Sequence, residues 1–475
     1  MKKLKDIKII SIILSIMLFI NSIILSYFIV KLNILLTIYL IIYILFIILL
    51  NISNLYINIF IKLKKKIRII SISLSIIFNI LFIILSIYLN STINFFNNIN
   101  TNEKIDEYYI VILKNKNYKL NNLNNKHIGI YNIDNDSYNI AIDKLKDKIN
   151  YKIKKYDNLE DMYKDIINKK IDSILLNKNI YEKLDNINSN YDNNLKVLDK
   201  INVVTKIDDI TKDINVLEDS FNIYISGMDS YGNIKNTSKS DTNILVTINP
   251  KTKNILLTSI PRDYYLKVYN TSYKDKLTHI SIYGIDTVIN SLEELLETSI
   301  NYYVKVNFTT LIDLIDIIDG ITLYNDESFK LSIEPFYYYK KGYIKLDGKK
   351  ALGFVRERKT IKGGDLKRGE HQQIVIKAII DKVSNNPNII SKYNKILDSF
   401  KDKFITNMKM NDITSLIKNE LDNYGNWNIS FSNLSGYDSY NYTYTYKNKK
   451  LYVMEPDIDS LINTINKIDE VKKEK

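Results

Sequence analysis

The sequence predicts an α/β protein in which three amino-terminal transmembrane helices precede a small α/β domain and a larger α/β domain. Three observations lead to this fold class. The first 90 of the 475 residues contain three long apolar stretches, short strand patterns then alternate with helical patterns about ten residues long, and longer apolar strands and helices follow. Strands that alternate with helices in this way are typical of α/β folds.

The predicted transmembrane helices span residues 9–30, 35–61 and 69–89. At 1.5 Å per residue, each is long enough to cross the roughly 30 Å hydrocarbon core of a bilayer. Four lysines precede the first stretch, and four lysines and one arginine separate the second from the third. Such basic segments stay in the cytoplasm. We therefore expect a multi-pass protein of the cell membrane, with the amino terminus in the cytoplasm and residues 91–475 outside the cell.

The net charge of +13 is concentrated in the membrane region. Residues 1–90 carry ten basic side chains and one acidic side chain, which leaves only +4 for residues 91–475. The basic composition therefore sets membrane orientation and indicates no nucleic-acid partner. The chain has no cysteine, which excludes disulfides, thiolate zinc sites and a cysteine nucleophile.

Residues 91–105 are polar and rich in asparagine, and we interpret them as a linker between the membrane anchor, residues 1–90, and an accessory α/β domain, residues 106–217. The strands expected in the accessory domain are 108–113, 127–131, 150–156, 171–176 and 203–206, and the helices are 137–148, 159–169 and 180–188. This alternation predicts a largely parallel sheet. The domain has no catalytic motif, so a ligand- or wall-binding module and a structural spacer are both open interpretations.

The larger domain, residues 218–475, opens with a predicted strand at 223–228 that ends before Asp229. A strand pair follows at 243–249 and 254–260, joined by a turn that contains Pro250. If that turn centres between residues 251 and 252, antiparallel pairing places Asp241 opposite Arg262 at the open end of the pair.

Further along, residues 287–296 and 308–318 have apolar helical patterns, and residues 351–359 read as another strand. Side chains alternate along a strand, so Arg356 and Arg358 are expected to share one face. The glycine pair 363–364 then leads into a helix in which Arg368 and Gln372 lie one turn apart, on the same side.

Common catalytic motifs are absent from the sequence. It has no G-x-x-x-x-G-K-[ST] loop, no G-x-S-x-G elbow and no G-x-G-x-x-G loop, and its three histidines are widely separated. Arginines suit phosphate oxygens, and carboxylates without histidine or cysteine suit a hard cation such as Mg²⁺. A pyrophosphate site is therefore one interpretation of the remaining charged residues, which are Asp229, Asp241, Arg262, Arg356, Arg358, Asp365 and Arg368. Taken singly, the aspartates also suit turn caps and the arginine pair an exposed strand face.

The order of the short motifs resembles that of the LytR-CpsA-Psr (LCP) family across residues 219–383. The motifs are Gly227-Met228-Asp229, Ser240-Asp241-Thr242-Asn243, Ser259-Ile260-Pro261-Arg262-Asp263, Asp275-Lys276, Leu346-Asp347-Gly348, Val355-Arg356-Glu357-Arg358, Gly364-Asp365 and Arg368-x-x-x-Gln372-Gln373. The resemblance implies an LCP-type α/β/α catalytic domain with a mixed sheet. It also implies a membrane-anchored phosphotransferase that moves an anionic glycopolymer, such as teichoic acid, from a polyprenyl-pyrophosphate carrier to peptidoglycan in cell wall assembly.

The resemblance also implies roles for individual residues. Asp229 and Asp241 would bind Mg²⁺ or Mn²⁺, and Asp229 is the carboxylate to test as the proton acceptor. The residues expected to act in catalysis are Asp229, Arg262, Arg356 and Arg358, and those expected to bind substrate are Lys276, Asp365, Arg368 and Gln372. The helices at 287–318 are candidates to line a tunnel for the polyprenyl chain. His371 stands where the family usually has arginine, which predicts one basic group fewer near the phosphates.

Two other functions stay open at this point. Members of the family have been labelled membrane-bound transcriptional regulators or attenuators, but the predicted topology leaves little of the chain in the cytoplasm to contact DNA. A non-catalytic surface protein that binds anionic polymers would bind the substrate without releasing lipid monophosphate. Protease accessibility distinguishes the first possibility, and Mg²⁺-dependent turnover distinguishes the second.

Overall fold

The computed structural model describes most of the chain, namely residues 2–33, 35–59, 65–100, 103–131, 136–188, 190–207, 210–228, 234–334, 336–384, 395, 399–400, 403–422, 426–447 and 449–473. The contacts divide the chain into two compact units. The first contains residues 1–100, 215–219 and 408–426, and the second contains residues 101–214, 220–407 and 427–475.

Three long helices dominate the first unit: α1 (Lys2–Leu32), α2 (Thr37–Ile59) and α3 (Lys65–Ile99). Each is long and apolar enough to cross a membrane. Polar side chains join the helices, as Asn51 Nδ2 donates to Ser22 Oγ at 3.0 Å and Asn58 Nδ2 donates to Ser15 Oγ at 3.0 Å. Such interhelical hydrogen bonds satisfy polar groups that lipid cannot.

The predicted linker is mostly regular structure. Residues 91–99 continue α3, and strand β1 (Glu103–Leu113) begins at residue 103. Asparagine and serine in 91–100 suggested a flexible segment, but Ile93, Phe96 and Ile99 recur at helical spacing and are buried. The buried apolar face of the helix therefore outweighs the low helix propensity of asparagine.

The amino-terminal part of the second unit is a five-stranded sheet with order β3-β2-β4-β1-β5. Its remaining strands are β2 (His127–Tyr131), β3 (Lys152–Tyr156), β4 (Ser173–Asn177) and β5 (Leu195–Lys206). The helices are α4 (Asp136–Lys146), α5 (Leu159–Ile167), α6 (Lys178–Tyr181) and α7 (Tyr191–Asn194), with 3₁₀ turns at Leu120–Leu123 and Glu182–Asn186.

The prediction of a largely parallel sheet in this region is only half right. Strand β2 pairs in parallel with β3 and β4, but β1 pairs antiparallel with β4 and β5. The antiparallel β1–β5 ladder joins strands at opposite ends of the region, a pairing that the local alternation of strands and helices does not specify.

The rest of the second unit is built on a six-stranded mixed sheet with order β16-β11-β6-β7-β8-β17. Its strands are β6 (Phe221–Met228), β7 (Ser240–Asn249), β8 (Asn254–Ser259), β11 (Tyr302–Asn307), β16 (Phe404–Thr406) and β17 (Asn428–Asn433). Two-stranded ladders pair β9 (Tyr265–Lys267) with β10 (Lys274–Lys276), β12 (Ile321–Asn325) with β15 (Gly342–Leu346), β13 (Phe329–Lys330) with β14 (Tyr338–Tyr339), and β18 (Gly436–Asn441) with β19 (Leu451–Pro456).

Helices cover both faces of the six-stranded sheet. On one face lie α8 (Leu277–Ile280), α9 (Ile285–Leu296) and α14 (Ile458–Lys473), and on the other lies α12 (Gly364–Ser384). Helices α10 (Phe308–Ile317) and α11 (Gly348–Arg356) pack with α12 in a separate core, and α13 (Met410–Asp422) belongs to the first unit. Leu245 packs with α9 and α14, whereas Ile244 and Val246 pack with α12. Adjacent residues of one strand thus enter two different cores, which confirms the α/β/α architecture.

The two α/β regions of the second unit are joined by buried polar contacts. Thr237 Oγ1 donates to Asp106 Oδ1 at 2.6 Å, and Asn179 Nδ2 donates to the Thr237 carbonyl at 2.9 Å. Lys104 Nζ donates to the Tyr283 carbonyl at 3.1 Å. Because unsatisfied buried polar groups are costly, these contacts hold the two regions in a specific packing arrangement.

Candidate active site

A cleft of about 490 Å³ lies on the α12 side of the six-stranded sheet. Apolar residues of the sheet and of α10 and α12 form most of its wall, including Ile225, Val306, Leu314, Ile376 and Ile379. Charged side chains gather in the remaining part, and they are Asp241, Arg262, Arg356, Arg358, Lys359 and Arg368. The described lining therefore combines one carboxylate with five cations, beside an apolar pocket.

The strand pair β7–β8 brings Asp241 and Arg262 together. The register pairs Asn249 with Asn254 and Ile244 with Ser259, as the turn chemistry predicted. Arg262 Nη1 lies 3.0 Å from Asp241 Oδ2. Burial lowers the pKa of Arg262, but the negative charges of Asp241, Asp263 and Asp365 together raise it by more. The pKa of Arg262 is therefore above its usual value. Arg262 is therefore a permanent cation in the cleft.

Asp263 was missed by the sequence reasoning as a residue of the site. Its Oδ1 lies 2.9 Å from Lys276 Nζ, and its Oδ2 lies 3.5 Å from Arg262 Nε. Asp263 therefore orients two cations at once, and Lys276 contacts the site through it. The position of Asp263 directly after Arg262 in the Ser-Ile-Pro-Arg-Asp motif was the available signal.

The segment that carries Arg356 is a helix, so the prediction of a strand at 351–359 is wrong. The Asp347 side chain caps α11 by accepting a hydrogen bond from Lys350 N at 2.8 Å. A Cβ at Gly348 would meet the Ile312 carbonyl oxygen at 2.3 Å, so glycine permits the close approach of α11 to α10. The capping aspartate, followed by apolar residues at helical spacing, indicates a helix start.

Arg356 and Arg358 nevertheless both line the cleft, for a different reason from strand alternation. The guanidinium carbon of Arg356 lies 4.3 Å from the centre of the Phe308 ring, a cation–π contact that fixes its position. Helix α11 ends at Arg356, and the extended backbone that follows carries Arg358 to the same cleft. Among the described residues, no carboxylate lies within ion-pair distance of the Arg358 guanidinium.

Glu357, between the two arginines, organises this loop. Its buried carboxylate accepts hydrogen bonds from the backbone N–H groups of Arg358 at 2.9 Å and Lys359 at 2.7 Å, and from Ser332 N at 2.5 Å. Burial alone would raise the pKa of Glu357, but these donors outweigh burial and lower it. Glu357 therefore stays ionised and holds the arginine loop against residue 332.

Helix α12 contributes Arg368 and Gln372 to the cleft, which confirms that they share one side of the helix. Arg368 is only 7% exposed and pairs with Asp365 at 2.6 Å. Burial lowers the pKa of Arg368, Asp365 and Asp241 partly offset this, and the nearby charges of Arg262 and Arg358 add to the lowering. Three cations crowded in this way favour an anionic ligand that neutralises them.

His371 points away from the cleft. Its ring is fully buried, stacks on Phe354 with 4.1 Å between ring centres, and lies 5.4 Å from the Phe329 ring centre. Burial lowers the pKa of His371 to about 4, so the ring is neutral at pH 7. His371 is therefore a neutral residue outside the described cleft lining, and the expectation of one basic group fewer near the phosphates stays a prediction.

The structure brings together most of the predicted site. Six predicted residues line one cleft, namely Asp241, Arg262, Arg356, Arg358, Arg368 and Gln372. Lys276 is connected to the cleft through its ion pair with Asp263, and Asp365 through its ion pair with Arg368. Asp229 lies outside the described residues, directly after the cleft-lining Met228. Of the two helices expected to line a tunnel, α10 lines the cleft, but Val288, Leu292 and Leu296 of α9 are buried in the opposite core.

The chain is similar in sequence to proteins named as teichoic acid transferases. A teichoic acid transferase of Bacillus subtilis (strain 168), "Polyisoprenyl-teichoic acid--peptidoglycan teichoic acid transferase TagT", is 34% identical over 43% of this chain and 65% of its own length. The relative TagU of Bacillus cereus, with the same functional description, is 31% identical over 47% of this chain and 73% of its own length. The solved structure "TagT bound to LIIa-WTA" has 27% identity and a TM-score of 0.45, and it covers 55% of this chain and 94% of that chain.

The family comparison covers more of the chain than any of these relatives does. The sequence model of the LytR_cpsA_psr family matches residues 174–459, which is more than half of the chain and includes every predicted site residue. The chain therefore belongs to the LytR-CpsA-Psr family.

Proposed function

We propose that this protein is a membrane-anchored transferase that moves an anionic glycopolymer, of the teichoic acid class, from a polyprenyl-pyrophosphate carrier to peptidoglycan. The observation that carries the proposal is the cleft of about 490 Å³, whose lining combines a mostly apolar wall with four arginines. A polyprenyl chain needs an apolar wall, and a pyrophosphate needs fixed cations. The relatives TagT and TagU, named as polyisoprenyl-teichoic acid transferases, support the same substrate class.

The chemistry of the transfer is a phosphoryl displacement. An acceptor sugar hydroxyl forms a bond to the phosphorus that carries the glycopolymer, and the bond from that phosphorus to the bridging oxygen breaks. Polyprenyl monophosphate leaves, and the proton of the hydroxyl passes to a base, for which Asp229 is our candidate. Negative charge grows on the leaving phosphate, where Arg262, Arg358 and Arg368 stabilise it.

We propose that a divalent cation binds this site together with the substrate. The described residues contain no group of three or more His, Cys, Asp or Glu side chains placed to bind a metal ion. Mg²⁺ commonly uses one or two carboxylates and completes its shell with phosphate oxygens and water. Asp241 supplies one such carboxylate, since Arg262 engages only its Oδ2, and Asp229 is the proposed second. When bound, Mg²⁺ or Mn²⁺ would neutralise pyrophosphate charge.

The decisive test of the function is a transfer assay with the full-length protein, a synthetic polyprenyl-pyrophosphate sugar and a peptidoglycan fragment. We expect release of polyprenyl monophosphate that depends on Mg²⁺ or Mn²⁺ and falls at least tenfold after Asp241→Asn. The variant Asp412→Asn, which removes the same charge in the first unit, is the matched control. Substrate binding without any release of monophosphate would instead support a non-catalytic polymer-binding protein.

We propose that the site lies outside the cytoplasmic membrane. Basic residues precede the first and the third apolar helix, which favours a cytoplasmic location for the amino-terminal ends of both helices. The chain has no cysteine, so each introduced cysteine is a unique label site. We expect a membrane-impermeant maleimide to label Ser439→Cys in intact cells and to label Lys3→Cys only after the membrane is opened. The reverse pattern would place the cleft in the cytoplasm and would favour the regulator hypothesis.

A further inference from the structure

The most exposed apolar side chains of the described chain lie in one segment, residues 333–343, and the first of them, Ile333, lines the cleft. Ile333, Phe336 and Tyr343 are 73%, 78% and 82% exposed, more than any large apolar residue of the three membrane-spanning helices. We call residues 331–343 the aromatic loop. Pro335 within it lies outside the described residues. A soluble surface seldom exposes apolar side chains so fully in one place, and such patches mark contact with a partner or a membrane.

The base of the aromatic loop is held by contacts that do not involve its exposed side chains. The Tyr339 ring is buried and stacks on Phe329 with 4.9 Å between ring centres, and its hydroxyl donates to the Lys350 carbonyl at 2.7 Å. Within the loop, Leu331 N donates to the Tyr337 carbonyl at 3.1 Å. The loop therefore presents its outer side chains from a supported position.

The loop is continuous with the cleft and with the arginine loop. Ser332 and Ile333 line the cleft together with Arg358 and Lys359. Ser332 N also donates a hydrogen bond to the carboxylate of Glu357, the residue that organises the arginine loop. The aromatic loop therefore borders the cleft on the side of the arginine loop.

The surrounding charge matches an anionic lipid surface. Residues 330–359 contain nine basic and three acidic side chains, a net charge of +6, whereas residues 91–475 as a whole carry only +4. Lys340, Lys341 and Lys345 are exposed next to the aromatic side chains. Basic residues beside exposed aromatic and aliphatic groups are the combination that binds membrane interfaces.

We propose that the aromatic loop inserts Ile333, Phe336 and neighbouring side chains into the outer leaflet of the membrane that anchors the chain. Only residues 100–102 separate α3 from β1, so the chain that carries the cleft is tethered directly to a membrane helix. Insertion would place the cleft entrance at the bilayer, so that a polyprenyl chain enters without crossing water. This last step rests on the proposed function, but the insertion itself does not.

Depth-dependent fluorescence quenching tests the insertion directly. The chain has a single tryptophan, Trp427, so Trp427→Phe gives a silent background for the reporter Phe336→Trp. The full-length protein is placed in vesicles of phosphatidylcholine and phosphatidylglycerol with bromine-labelled acyl chains. We expect the lipid bromines to quench at least half of the reporter fluorescence and aqueous iodide to quench little of it.

The matched control is Tyr437→Trp, at an exposed tyrosine of β18, where iodide is expected to quench and the lipid bromines are not. Equal lipid quenching at both positions, or none at the Phe336→Trp reporter, would overturn the proposal. A second copy of the chain is the rival occupant. Efficient cross-linking of Phe336→Cys by a short bis-maleimide, with no lipid quenching, would identify that copy instead.

A transfer assay separates this inference from the proposed function. The double variant Phe336→Ser/Tyr338→Ser changes exposed loop residues that do not belong to the described cleft lining. We expect it to lower transfer from a bilayer-embedded long-chain donor at least tenfold and to leave transfer from a water-soluble short-chain donor within twofold. Equal transfer by variant and wild type from the long-chain donor would contradict a role in lipid entry. Inactivity of the wild type with both donors would instead contradict the proposed function and leave the quenching result to decide insertion.

Discussion

Replacement of Arg358 by alanine is expected to reduce glycopolymer transfer by at least a hundredfold while the protein remains folded. Arg358 lines the cleft on the loop held by Glu357, and no carboxylate among the described residues neutralises it within ion-pair distance. Its charge is therefore available for a phosphate. Removal of one preorganised donor to developing negative charge typically costs about 10²–10³ in rate, or about 2.7–4 kcal/mol.

The measurement is single-turnover release of polyprenyl monophosphate by the full-length protein, with thermal unfolding as the check on folding. Lys362→Ala is the matched control, because Lys362 is an exposed cation four residues further on and outside the described cleft lining. Its rate should stay within twofold of wild type. Full polymer attachment by the double variant Arg356→Ala/Arg358→Ala would refute the assignment of these arginines to catalysis.

Narrowing the apolar part of the cleft is the second change expected to have a large effect. Leu314 of α10 lines the pocket, and an indole at this position would occupy space that a polyprenyl chain needs. We expect Leu314→Trp to lower kcat/KM for a long-chain donor at least tenfold. A donor with one or two prenyl units needs less of the pocket, so its kcat/KM should change less than threefold.

Overpacking by a larger side chain costs about 1–3 kcal/mol in its own right, so stability must be measured alongside activity. Ile317→Trp adds similar bulk to the same helix at a half-buried residue that is not part of the described cleft lining, and it serves as the control. A second variant on the opposite wall, Ile379→Trp, guards against a local folding defect at residue 314. If both cleft variants accept long-chain donors as well as wild type does, the lipid does not use this pocket.

Local patterns in the sequence were sufficient wherever the structure depends on near neighbours. The apolar stretches predicted three helices, which the structure has at Lys8–Leu32, Thr37–Ile59 and Lys66–Ile99 as candidate spans. The Pro250 turn predicted the β7–β8 register and the Asp241–Arg262 pair, because hairpin register follows from turn position. The glycine pair at 363–364 likewise predicted the start of α12.

The failures share a different physical cause. Residues 351–359 carry β-branched and aromatic residues that favour a strand, but the Asp347 cap and packing against α10 make them helical up to Arg356. The antiparallel pairing of β1 with β5 depends on contacts about 90 residues apart, which no local pattern contains.

By itself, the sequence determined the class of protein, the number of apolar helices and the residue types of the candidate site, since these follow from composition, spacing and motif order. Tertiary structure alone decided which charges share the cleft, that Asp263 and Glu357 orient them, and that α10 rather than α9 forms its wall. The physical reason is that a cleft depends on which faces of distant elements pack together. That packing is set by burial and long-range hydrogen bonds, which sequence periodicity does not encode.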